Sequence, residues 1–129
     1  MNDTANDKVL ISVGNIKIEA QLLDTPTARN IRDSLPFGSK AKLWGGQVMF
    51  ETPVMAEAED DARDVIKAGE LAFSIEDSSI AITFGKTPAA EGDEIRLASK
   101  SNIWALCVTD VTLLKSAKED DFIFIESLV

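Results

Sequence analysis

Residues 83–88 read TFGKTP, and the Gly85-Lys86-Thr87 within them has the form of the end of a phosphate-binding loop, where backbone N–H groups and a lysine cradle a nucleotide. That chemistry needs a glycine at position 80, which is Ile80. It also needs a helix starting at the Lys-Thr pair, and Pro88 holds Thr87 away from the α region. Nucleotide binding is not expected, so the stretch has another purpose.

Other chemistry is narrowed by what is missing. The chain contains no histidine, which removes the commonest general base, the usual activator of a serine or cysteine nucleophile, and most transition-metal sites. Its single cysteine, Cys107, lies in the apolar run NIWALCV and reads as an inert small hydrophobe. The acidic runs Glu57 to Asp61 and Glu119 to Asp121 lack the spaced ligands and central glycine of a calcium loop, so they read as solvated faces. No metal and no cofactor is expected.

Several residues keep a functional and a bland reading side by side. The Arg96 guanidinium, in DEIRLASKSN, can fork onto a carbonyl or carboxylate, or can pair with Glu94 at the surface. Trp44, beside a Gly-Gly pair, either lines a cleft or packs, whereas Trp104 in its apolar run belongs to the core. Glu51 follows Phe50 on a strand and therefore points to the opposite face. Thr87, Ser99 and Asn102 stand near strand ends, where they either converge on a rim or stabilise turns.

Short strands must position these groups. KVLISV and IKIEAQL flank Gly14-Asn15, a tight hairpin signal. Thr25-Pro26 caps a helix expected over Pro26 to Ser34, with Ala28, Ile31 and Leu35 on its apolar face and Leu35-Pro36 at its end. SKAKLW and QVMFE form a second hairpin about Gly45-Gly46, with Ala41, Leu43, Val48 and Phe50 inward, and Pro53 ends it. AEAEDDARDVI reads as a solvated connector, either loop or one helical turn. LAFSI and SIAITF make a third hairpin, and NIWALCVTDV and DFIFIESLV supply two more strands. The sum is a mostly β chain, a closed or nearly closed barrel of about eight strands with one short α-helix. Residues 1–7 read as a disordered segment and 8–129 as the barrel domain.

At 129 residues the chain is one domain's worth. With 13 basic and 22 acidic residues its formal charge is -9, which repels nucleic acid and anionic lipid, so neither is expected as a partner. The start MNDTANDK has no basic or apolar leader character, and a cytoplasmic location is expected.

In order along the chain come TPTA, LP, WGGQVMFETPV, AGELAF, ITFGKTP and LASKSNIWAL. Their sequence and spacing resemble the cyclophilin-like family of short prokaryotic proteins of unknown function, through Trp44, Gly45, Phe50, Pro53, Gly69, Phe73, Phe84, Gly85, Thr87, Pro88, Ser99 and Asn102. Two departures stand out: SIEDSS replaces the aromatic and glycine that follow AGELAF in the family, and Gln47 stands at an acidic position. The resemblance implies a cyclophilin-like β-barrel in which Phe-Gly-x-Thr-Pro turns at the rim, leaving Lys86 at a variable position. The expected site is a rim pocket walled by Trp44, Phe50, Phe73 and Phe84 and edged by Glu51, Thr87, Arg96, Ser99 and Asn102, holding an unknown small molecule or peptide. A peptidyl-prolyl isomerase is the alternative, although cyclophilins use a histidine and a Phe-x-x-Gln-x-Gly loop that this chain lacks. A homodimer through an exposed strand edge is a third reading.

Overall fold

In a computed structural model, which describes residues 7–128, the chain folds as ten strands, one α-helix and one 3-10 helix. The first hairpin is β1 (Lys8–Val13) and β2 (Ile16–Leu22), turned by Gly14 at φ +58. Helix α1 (Pro26–Ser34) follows, where the Thr25 side chain accepts the Ala28 N–H at 3.1 Å, as its capping signal predicts. Of the segment expected to be disordered, residues 1–6 lie outside the described residues. The Asp7 carbonyl accepts the Leu22 N–H at 2.9 Å, which continues the β2 edge.

The strands β3 (Phe37–Lys40) and β4 (Lys42–Leu43) are two halves of one run interrupted at Ala41. β3 pairs with β10 (Phe122–Leu128), and β4 pairs with β5 (Gln47–Glu51). Those pairings close a circuit of eight strands, β3/β4, β10, β1, β2, β9, β7, β8 and β5. Here β7 is Glu70–Ser74, β8 is Ser79–Thr83 and β9 is Ile95–Cys107. The remaining strand, β6 (Arg63–Ile66), pairs with β9 alone.

Period-two alternation fills the barrel. Val9, Ile11 and Val13 of β1 and Ile18, Ala20 and Leu22 of β2 lie side by side on the inner face, in a core that also takes Ala28 and Ile31 from α1. Each large apolar side chain buried this way contributes about 2 kcal/mol. Strand β8 is buried on both faces, because Ile80 and Ile82 enter the barrel while Ala81 meets Leu97, Ile66, Ala72 and Ile103 in a second cluster outside it.

That second layer corrects the sequence reading. DEIRLASKSN, not among the strands expected from the sequence, is largely strand, since β9 begins at Ile95, and AEAEDDARDVI, expected as loop or one helical turn, ends in β6. Two register shifts, one against β6 and one against β7, interrupt the alternation along β9 that would have marked it as strand. The run NIWALCVTDV also stops short, and Val111 begins the 3-10 helix Val111–Ser116. Leu43, expected inward, is 37% exposed at the barrel end. Among the described residues no helix is long and apolar enough to cross a membrane.

Candidate functional site

The outer face of the barrel carries a polar row set by strand register. Glu51 on β5 lies opposite Ser79 on β8, Ser79 opposite Ser74 on β7, Ser74 opposite Ser101 on β9, and Ser101 opposite Arg63 on β6. The adjoining row runs Lys42, Met49, Ala81, Ala72, Ile103, and beyond it Gln47 faces Thr83. Serine and alanine keep the floor low, while Leu97, Ala98 and Ser99 of β9 rise beside it. The result is a cleft with a mouth of about 390 Å³, bounded by Lys42, Met49, Glu51, Asp77 and Ser79. Beside it lies a slot of about 20 Å³ lined by Gln47, Ser74, Ser99 and Ser101. Met49, Asp77 and Ser79 line both, so the two are neighbours on one face.

Hydrogen bonding in the slot is incomplete. The Gln47 side chain is 2% exposed, and its Oε1 accepts from Thr83 Oγ1 at 3.3 Å. Among the described residues its Nε2 meets only the Met49 thioether, at 3.7 Å, a weak acceptor for a buried amide donor. Ser79 Oγ donates to the Asp77 carbonyl and Ser101 Oγ to the Ser99 carbonyl, each at 3.2 Å, and the Ser74 and Ser99 hydroxyls lie 3.5 Å apart. At the mouth, the exposed Lys42, Glu51 and Asp77 form no ion pair among the described residues.

The residues anticipated for a rim pocket do not assemble as one wall. Glu51 and Ser99 line the cleft, and Phe50 borders its mouth while its ring, 1% exposed, belongs to the core. Phe73 is fully buried in that core. Trp44 and Phe84 are half-buried at the barrel end, where the Gly45-Gly46 turn meets the FGKTP loop. Gly46 donates its N–H to the Lys86 carbonyl at 2.7 Å, and its carbonyl accepts the N–H groups of Phe84 and Gly85 at 2.8 and 3.0 Å. A Cβ on Gly46 would stand 2.4 Å from the Gly85 carbonyl carbon, so GKTP serves backbone-to-backbone packing. The Thr87 hydroxyl, buried beside that contact, donates to the Arg96 carbonyl.

Arg96 is held by carboxylates, with Glu94 at 2.6 Å, Asp64 at 2.9 Å and Glu91 at 3.9 Å. The Arg96 hydrogen bond holds the Glu94 carboxyl below its ordinary range. Asn102 is fully buried, and its role is to anchor a loop. Its Nδ2 donates to Thr27 Oγ1 and to the Glu57 carbonyl, each at 2.8 Å, and its Oδ1 accepts the Glu59 N–H at 2.9 Å. Glu59 in turn accepts from the N–H and hydroxyl of Thr27 at the start of α1. A groove of about 820 Å³ lies between that loop and α1, but Asn102, Thr27 and Glu59 spend their polar groups on one another. Burial pushes the Cys107 thiol up, and its Sγ–H donates to the Thr109 carbonyl at 2.9 Å, consistent with an inert residue.

Gln47, Ser74, Ser79, Ser101, Lys42 and Asp77 are the cleft residues that sequence reasoning missed. Their signal was alternation: Gln47 and Met49 occupy the face opposite Val48 and Phe50, as Ser79 and Ala81 do opposite Ile80 and Ile82.

A comparison with curated proteins finds no match. Among solved structures, the chain is similar to the hypothetical protein AF2241 from Archaeoglobus fulgidus, whose solution structure is known. The two share 31% identity over 95% of each chain, with a TM-score of 0.81. The family profile described as cyclophilin-like matches residues 7–126, nearly the whole of the described barrel. On that match, and on the eight-strand circuit with its single α-helix, this chain belongs to the cyclophilin-like family.

Proposed function

We propose that the protein is a binding module whose outer-face cleft takes a small polar molecule or a short peptide, without a catalytic step. One observation carries the reading: Gln47, 2% exposed, lines the slot with an amide donor that, among the described residues, is bonded by the Met49 thioether and by no oxygen. A thioether is a weak acceptor for a buried amide, and a ligand carbonyl or carboxylate that reached the donor would replace it with a stronger one on binding. The hydroxyl oxygens of Ser74, Ser79, Ser99 and Ser101 add acceptors around the same slot.

The isomerase alternative draws no support from the arginine. Arg96, the side chain that would have to meet a substrate amide, is occupied by Glu94 and Asp64. A cytoplasmic setting fits a chain of formal charge -9 that repels anionic surfaces. If two copies associate, β6 has an edge to offer, since it lies outside the circuit and, among the described residues, pairs with β9 alone.

The test is a two-dimensional NMR titration of the whole protein with dipeptides, both free and end-blocked, following the Gln47 side-chain amide signals and the Ser99 and Ser101 backbone amides. The expected result is a saturable shift at those signals that Gln47→Ala abolishes. No saturable shift at these positions with any dipeptide at millimolar concentration would overturn the proposal.

A further inference from the structure

The geometry points to a ligand that carries both a free ammonium and a free carboxylate, an amino acid or short peptide with unblocked ends, as the natural occupant of the cleft. This inference rests on the binding reading above and names its ligand class. Lys42 sits on β4 opposite Met49, and Glu51 stands two residues beyond Met49 on β5, so a cation and an anion flank one thioether on the same outer face. Asp77, in the turn between β7 and β8, adds a second carboxylate at the mouth beside Ser79.

These charges contrast with the others nearby. Arg63 is paired with Glu70 at 2.7 Å, and Arg96 with Glu94 and Asp64. Among the described residues Lys42, Glu51 and Asp77 have no ionic partner. The buried amide of Gln47, bonded by the Met49 thioether at 3.7 Å, offers a donor in the slot beside that mouth. A zwitterion satisfies the set, with its carboxylate on the Lys42 ammonium, its ammonium between the Glu51 and Asp77 carboxylates, and a carbonyl turned toward Gln47.

The test compares four probes on the intact protein by calorimetry and NMR: alanyl-alanine, its N-acetyl form, its C-terminal amide, and the doubly blocked N-acetyl amide. Free alanyl-alanine is expected to bind about fivefold tighter than either singly blocked form, the scale of a half-exposed ion pair at each end. Lys42→Ala should erase the preference for a free carboxylate, and Glu51→Gln with Asp77→Asn the preference for a free amine. All three side chains are exposed, so these variants keep the fold. Equal binding of all four probes with the Gln47 signals shifting would overturn the zwitterion and leave the binding cleft standing. Preferences that survive the variants would overturn the assignment of the charges. Failure of every probe to bind would overturn both.

Discussion

Replacing Asn102 by alanine tests whether this side chain is a structural anchor. It removes three hydrogen bonds of 2.8 to 2.9 Å, to Thr27 Oγ1, the Glu57 carbonyl and the Glu59 N–H, from a side chain that is fully buried. At about 1 kcal/mol for each such bond the loss is about 3 kcal/mol, reduced toward 2 if water from the adjoining groove reaches the Glu57 carbonyl. Against a total of about 5–15 kcal/mol that is a large fraction. Urea denaturation should show the midpoint falling with m unchanged, and amide exchange at Glu59 should lose its protection as the loop lets go of β9. Asn102→Asp is the sharper variant. It keeps the acceptor for the Glu59 N–H but gives up both donor bonds, and it sets a second carboxylate beside Thr27 Oγ1, which already bonds Glu59. Its carboxyl would resist ionising, so this variant should regain stability as pH falls and the group is protonated. A loss below about 1 kcal/mol in Asn102→Ala, with Glu59 still protected, would refute the anchor.

Two further outcomes follow from the loops. Gly46→Ala should destabilise by about 3 kcal/mol or more, because its Cβ would lie 2.4 Å from the Gly85 backbone, whereas Gly92→Ala, at φ +63 with nothing within 4 Å, should cost about 1 kcal/mol. Equal losses in thermal unfolding would count against the backbone contact. Glu94 should titrate below its ordinary value of 4.5 because Arg96 hydrogen-bonds it. Its contribution to stability is therefore present in full above 4.5 and is lost as pH falls through the lowered folded value. A carboxyl-detected NMR titration should show Glu94 moving up toward 4.5 in Arg96→Met, and an unmoved value would refute the pairing.

The barrel was legible where local rules act alone. Thr25-Pro26 marked the start of α1 and Leu35-Pro36 its end, and the glycine pairs Gly14-Asn15 and Gly45-Gly46 marked turns whose first glycine takes positive φ. Strand β6 and the first half of β9 were not legible, because the register shifts along β9 break its period-two pattern and Arg63–Ile66 reads as the tail of a charged loop. The candidate site was harder for a related reason. Large aromatics drew attention as pocket walls, yet Phe50 and Phe73 point into the barrel, and the open face is built from the small and polar residues between them. Asn102 was left between a rim contact and a turn stabiliser because no short-range pattern reveals that Thr27, 75 residues away, accepts its amide N–H.

The position of the cleft follows from the same second layer that escaped the sequence. Leu97 and Ile66 pack against Ala72 and Ala81, so that part of the outer face behaves as core, with Ala81 left at the floor of the slot. The neighbouring row of Glu51, Ser79, Ser74 and Ser101 lies at the margin of this cover, where the hydroxyls are buried enough to lose most of their water and open enough to face a slot. A polar group at such a margin keeps much of its hydrogen-bonding strength, because the local dielectric is low, without the full penalty of burial. Gln47 meets that condition most fully, since Thr83 holds its carbonyl end and leaves the nitrogen facing Met49 in the slot. The cleft is therefore built by the outer-face residues at the edge of the β6–β9 layer, while the aromatic motif residues Phe50 and Phe73 hold the barrel itself together.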